Sequence, residues 1–155
     1  MLAKVLHDVS VGLDYLCAHP LVDEARLGFI GHSYGGRMAI WSPAFDDRIR
    51  ASVSNCGCVN YADSLERDVG IQAEFCVPGI LDVGDVEDVV RLISPRALYI
   101  SATSNDKYSR GAERIFEAVV GAFPQGKLVC RVWDGGHIFS EEMRNAAYRF
   151  LSENL

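Results

Sequence analysis

Residues 31–36 read Gly31-His32-Ser33-Tyr34-Gly35-Gly36, a serine in G-x-S-x-G spacing. Between an apolar strand and a helix, such a run is a nucleophile elbow, a turn so tight that the positions flanking the serine must be almost free of side chain. Gly31 and Gly35 are expected to supply that space, and Gly36 to let the next helix start close to the sheet. The turn lifts the Ser33 hydroxyl clear of the backbone. It also aims the N–H of Tyr34 at the point where negative charge develops on an attacked carbonyl. A glycine-rich turn holding an incidental serine has the same six letters, so the rest of the chain must decide.

A serine hydroxyl is a poor nucleophile until a base takes its proton, and the base needs an orienting acid. His7 falls on the polar face of an N-terminal helix and His19 at its end, both solvated, while His32 sits inside the turn and supports it. His137 differs. It follows an apolar strand and Gly135-Gly136 and precedes the last helix, which in a parallel sheet puts it on the same rim as Ser33. Behind an elbow of this kind the chain order is Ser, then Asp or Glu, then His. Asp106 lies just past another apolar strand and fits that order as the acid. Asp63, after the preceding strand, is its main rival, and Asp134 is better read as the cap of its own turn.

The elements that must position these groups follow from periodicity. Leu2, Val5, Leu6, Val9, Leu13 and Leu16 recur at helical spacing opposite Lys4, His7, Asp8 and Asp14, and His19-Pro20 ends that helix. Residues 26–30 (RLGFI) form a short buried strand feeding the elbow, and 37–44 the helix behind it, interrupted by Pro43. Further strands are expected at 49–55, 97–103 and 127–133, and helices at 86–93, 109–123 and 141–151. The stretch 56–78 is loop-rich. In and beyond it, Phe75, Val77, Ile80 and Leu81 read equally well as a pocket wall and as ordinary core. Strands alternating with helices imply an α/β fold with a parallel sheet of about four strands and right-handed crossovers. No repeat, linker or low-complexity segment divides residues 1–155, so one domain is expected.

A chain of 155 residues can bury roughly 70% of its unfolded surface as a single domain. The net charge of −6 argues against nucleic acid and anionic membrane surfaces as partners and leaves a small neutral substrate open. The five cysteines (Cys17, Cys56, Cys58, Cys76 and Cys130) are odd in number and without a framework, which fits a reducing compartment. No second Cys/His pair stands at ligand spacing from Cys56-Gly57-Cys58, so these read as packed small hydrophobes and no metal is expected. The N-terminus enters an amphipathic pattern without a signal-peptide profile, and no apolar run nears the ~20 residues of a membrane span. A soluble, cytoplasmic protein is the expectation.

With these residues placed, the chain resembles the dienelactone hydrolase and acetyl xylan esterase-like branch of the α/β-hydrolases, which borders the prolyl oligopeptidase catalytic domain. The matching stretches are Gly12-Leu13-Asp14-Tyr15-Leu16 with His19-Pro20, Val22-Asp23 with Arg26-Leu27-Gly28, and the elbow. Further on come Ile93-Ser94-Pro95-Arg96, Asp106, and Gly136-His137-Ile138-Phe139. The resemblance implies nucleophile Ser33, base His137 and acid Asp106, acting without a cofactor on a carboxylic ester through an acyl-enzyme. It also implies the Tyr34 N–H as one oxyanion donor.

The match covers the second half of that fold, from the helix before the elbow strand onward. In such folds the other oxyanion donor comes from a loop after an early strand, and losing one donor costs ~10²–10³ in turnover. Strand 26–30, normally central, becomes an apolar sheet edge that invites another strand. Two functions of different class follow. The first is a serine esterase on a small-molecule ester, with a thioester or peptide as variants. The alternative is a truncated, weak or inactive hydrolase fragment that forms a homodimer or binds a partner through that edge.

Overall fold

Four strands pair in parallel in the order β1 (Leu27–His32), β2 (Ile49–Asn55), β3 (Ala97–Thr103) and β4 (Leu128–Trp133), in a computed structural model that describes residues 1–66 and 70–155. Among the described residues six helices surround them: α1 (Leu2–Cys17), α2 (Tyr34–Phe45), α3 (Tyr61–Glu66), α4 (Val86–Arg91), α5 (Ala112–Val119) and α6 (Glu141–Asn154). This is an α/β fold with the expected strands in sequence order. Among the described residues β1 pairs with β2 alone, which puts the elbow strand at the sheet edge.

β3 is buried along its whole length because its two faces serve two cores. Leu98, Ile100 and Ala102 meet Met38 and Trp41 of α2, Val90 of α4 and Ile115 of α5. Tyr99 and Ala97 face the other way, with Ala51 and Val53 of β2, against Ala147 and Phe150 of α6. Alternate residues of one strand thus fix which helices lie on which face. A third cluster of Leu13, Leu27 and Ile49 fastens α1 to the start of the sheet. The inner face of α1 continues from Leu13 to Cys17, and Leu16, expected inward, is 41% exposed.

Several expectations about helices need correction. α2 begins at Tyr34 and runs through Pro43 to Phe45. Pro43 falls in the last turn, where its missing N–H removes a single bond and Asp46 N still reaches Ser42 O at 2.9 Å. The segment 109–123 is not one helix. Gly111, at φ 80°, separates a 3₁₀ turn (Lys107–Ser109) from α5, and the end tightens into a second 3₁₀ turn (Val120–Ala122). Within 56–78, α3 is too short to show a period in the sequence, and its start is held by the Asp63 N–H donating to Asn60 Oδ1 at 3.1 Å. Phe75 is fully buried core, Val77 and Ile80 pack against that core, and both join Leu81 in lining a small apolar pocket of about 250 Å³. Among the described residues, no helix is long and apolar enough to cross a membrane.

Candidate active site

The site is built where β1 turns into α2. Ser33 sits at φ 59°, ψ −115°, a conformation non-glycine residues seldom adopt and which costs on the order of 1–3 kcal/mol. Its amide donates to Asn55 O at the end of β2 (2.8 Å), which holds the turn against the neighbouring strand. A Cβ on Gly31 would lie 2.0 Å from Gly35 O, and one on Gly36 would lie 2.4 Å from Asn55 O. A Cβ on Gly35 would meet nothing within 4 Å, so the bare backbone expected at both positions is required at Gly31 alone of the two. Gly57, which stands outside the elbow motif, meets the backbone of Gly36 and Arg37 at 2.5 Å in the same way. Gly31→Ala is therefore expected to lower the unfolding free energy by about 3 kcal/mol, through overpacking against backbone. Gly35→Ala should change it by less than about 0.5 kcal/mol. Urea midpoints compare the two, and equal losses would overturn the placement of the close approach at Gly31.

The loop after β4 brings His137 over the elbow. His137 Nε2 lies 2.8 Å from Ser33 Oγ, and His137 Nδ1 lies 3.1 Å from Asp106 Oδ1. Asp106 is buried, and it also accepts from Ser109 Oγ at 2.9 Å and from the Tyr108 amide at 3.2 Å. Burial pushes its carboxyl pKa up, but the hydrogen bonds from His137, Ser109 and Tyr108 outweigh that and hold it below the usual carboxylate value. Asp106 is thus an anion with three donors on it. The His137 ring is flanked by His32 (ring centroids 4.6 Å apart) and by the edge of Tyr108 (5.3 Å). Tyr34 is the first residue of α2, so its N–H precedes the first intrahelical acceptor and is free for an external one.

The other candidates lie elsewhere. Asp63 is paired with Arg114 of α5, and Asp134 accepts from Ser104 Oγ at 3.0 Å. His7 is exposed on α1, and His19 Nδ1 accepts from the Leu21 amide at 3.2 Å. Cys58 packs in the main core as expected. Cys56, however, stands at φ 50° with Sγ 3.5 Å from Thr103 Oγ1, and within 4.8 Å of ligand atoms on Asp106 and His137. The hydrogen bonds joining Asp106 to His137 and Cys56 to Thr103 account for that grouping.

Two further residues of the site, Asn55 and Arg37, stand outside the motifs read from the sequence. Asn55 is wholly buried beneath the elbow. Arg37, one turn after Ser33, is 5% exposed, with its guanidinium 5.3 Å from the Phe75 ring centroid. Burial pulls its pKa down, opposed by attraction to Tyr61 and Tyr108. Neither residue carries a local sequence signal, because each matters only through strands and loops far along the chain. Beside the base, a polar cavity of about 450 Å³ opens between Asp106, Lys107, Tyr108, Arg110 and His137.

Residues 3–74 match the prolyl oligopeptidase family. Over 99% of its length the chain is 29% identical to a putative hydrolase, YtaP, of Bacillus subtilis (strain 168), and covers 54% of that protein. Over 65% of its length it is 26% identical to the carbohydrate esterase MZ0003 of an unknown prokaryotic organism, covering 27% of it. Among solved structures, a promiscuous CE15 esterase from a marine bacterial metagenome superposes with TM-score 0.74 at 18% identity, over 99% of this chain and 48% of that one. At that identity the likeness is one of fold. The chain spans about half the length of YtaP and of the CE15 esterase.

Proposed function

We propose that this chain, a member of the α/β-hydrolase superfamily carrying part of that fold, is a serine hydrolase of carboxylic esters. The observation that carries the reading is His137 between its two partners, Nε2 toward Ser33 Oγ at 2.8 Å and Nδ1 toward Asp106 at 3.1 Å. Asp106, as an anion, accepts a hydrogen bond from the Nδ1–H, which stays on His137 and leaves the Nε2 lone pair facing the hydroxyl. Ser33 Oγ attacks the ester carbonyl carbon while its proton passes to His137 Nε2. The Tyr34 N–H donates to the resulting oxyanion. Collapse expels the alcohol, which takes the proton from His137 and leaves an acyl ester on Ser33. Water, deprotonated by His137, then hydrolyses that ester and restores the enzyme. One of the relatives is named a carbohydrate esterase, which makes acylated sugars the first substrate class to assay.

Fluorophosphonate labelling tests the reading. Ser33 Oγ displaces fluoride from phosphorus, so the intact protein gains the phosphonyl mass on the peptide holding Ser33, and Ser33→Ala gains none. A folded wild-type chain that stays unlabelled would overturn the assignment.

The edge position of β1, where Phe29 and Ile30 are only half-buried, favours a second reading, a dimer or partner complex formed by strand addition. Light scattering checks it directly, because a monomer at about 100 μM removes the self-pairing form of that reading.

A further inference from the structure

Asn55 does more than anchor the elbow. We propose that it is the positioning residue of the site, locking His32 as a neutral imidazole beside His137 and tying the His137 loop to the elbow. The proposal rests on the reading of Ser33, His137 and Asp106 as the reacting groups.

Asn55 has no exposure to solvent, and four of its hydrogen bonds bear on the site. Its backbone O accepts from the Ser33 amide (2.8 Å), and its side-chain Oδ1 accepts from Ser101 Oγ (2.8 Å). Nδ2 donates to Ile138 O at 3.0 Å and contacts His32 Nδ1 at 2.7 Å. One amide therefore joins the nucleophile turn, the neighbouring strand and the residue directly after the base. Its carboxamide has two N–H donors and one carbonyl, and every one is used.

The orientation of this amide decides the state of His32. Ile138 O can only accept, so the NH₂ end of Asn55 must face it, and the second N–H of that group then points at His32 Nδ1. Nδ1 must be the bare nitrogen and Nε2 the protonated one. Adding a proton to His32 would set two donors against each other at 2.7 Å in a half-buried site. Turning the amide over would set its oxygen against the Ile138 carbonyl. The titratable groups facing His32 are His137 and Asp106, on the loops after β4 and β3. Burial and the neighbouring His137 also lower the proton affinity of His32, against the opposing pull of Asp106.

This matters because His137 becomes an imidazolium during each half-reaction. A second cation 4.6 Å away, ring to ring, would oppose that charge and weaken the base. A His32 that stays neutral supplies a polarizable wall for the ring instead. The bond to Ile138 O meanwhile fixes where the His137 loop sits relative to Ser33, and displacement of a reacting group by about 1 Å can cost roughly 10²-fold in rate.

Imidazole ¹⁵N NMR on the whole chain tests this without needing turnover. In the wild type, His32 should show the Nε2–H tautomer and no titration over about pH 5.5–8, where free imidazole titrates. Asn55→Asp turns the donor facing Nδ1 into an acceptor, so His32 should become doubly protonated in that range, with kcat falling roughly 10²-fold at nearly constant KM. Ser101→Ala removes only the hydroxyl that pins Oδ1, and kcat should fall roughly fivefold, the worth of one neutral hydrogen bond. If Asn55→Asp fails to fold, the wild-type titration and Ser101→Ala decide the matter. A wild-type His32 that titrates like a free imidazole would overturn the proposal. So would an Asn55→Asp protein with unchanged His32 tautomer and kcat. Loss of fluorophosphonate labelling in a chain with the predicted His32 behaviour would instead strike the assignment of Ser33.

Discussion

Replacing His137 with glutamine is expected to lower kcat on an activated ester by roughly 10⁴–10⁶-fold, with KM little changed, the scale on which removing a triad base acts. That is about 5–8 kcal/mol of lost transition-state stabilisation. Geometry sets the expectation. The side-chain nitrogen in hydrogen-bond reach of Ser33 Oγ is His137 Nε2, at 2.8 Å. His32, although its ring centroid lies 4.6 Å from that of His137, cannot take over, because its Nδ1 is occupied by Asn55. Glutamine can still donate toward Asp106 but cannot take up and return a proton near neutral pH. His137 is 35% exposed at its side chain, so the fold should survive, and circular dichroism with an unchanged melting temperature verifies that. A loss of less than tenfold would mean that another group or solvent removes the Ser33 proton.

Asp106→Asn should be the next largest effect, about 10⁴-fold in kcat at neutral pH. An amide offers His137 Nδ1 a donor as readily as an acceptor, and if it donates, the ring carries its proton on Nε2, facing Ser33, and has no lone pair there. The pH behaviour separates this from a general loss of structure. The folded Asp106 carboxyl lies below its ordinary value, with burial opposing and the His137 and Ser109 hydrogen bonds prevailing. A depressed carboxyl contributes stability that is fully present above its unfolded pKa and is lost as pH falls through the folded one. The wild type should therefore be more stable than Asp106→Asn at neutral pH, and the gap should close only below the usual carboxylate range. Urea unfolding at neutral pH and in that acid range reads the difference. A gap that widens on acidification would contradict the anionic assignment.

How far the sequence discloses this site differs residue by residue. β2 and β3 are legible to the residue because short apolar runs between turn residues leave few registers, and both are enclosed on both faces. Ser33, Asp106 and His137 stand out because each follows its own strand on one rim, and the structure brings them within 3.1 Å of one another in series. α5 is shorter than the expected span 109–123, because Gly111 with its left-handed backbone bounds the helix at its start and the last turn tightens to 3₁₀. Asn55 is invisible for a deeper reason. Its value lies in partners 22, 46 and 83 positions away, and no local pattern encodes such a meeting. Likewise the need for glycine at Gly57 comes from the close approach of α2, a tertiary event.

The hydrogen bond between Ser33 and His137 spans 104 positions of the chain. The elbow forms from neighbours close in sequence, β1, α2 and the end of β2, whereas the base arrives only when the loop ahead of α6 docks on β2 and β3. On the proposed function, reactivity depends on that docking and is lost if α6 peels away while the sheet stays intact. In the finished protein, loss of fluorophosphonate reactivity at a denaturant concentration below the main unfolding transition would time the departure of the C-terminal helix.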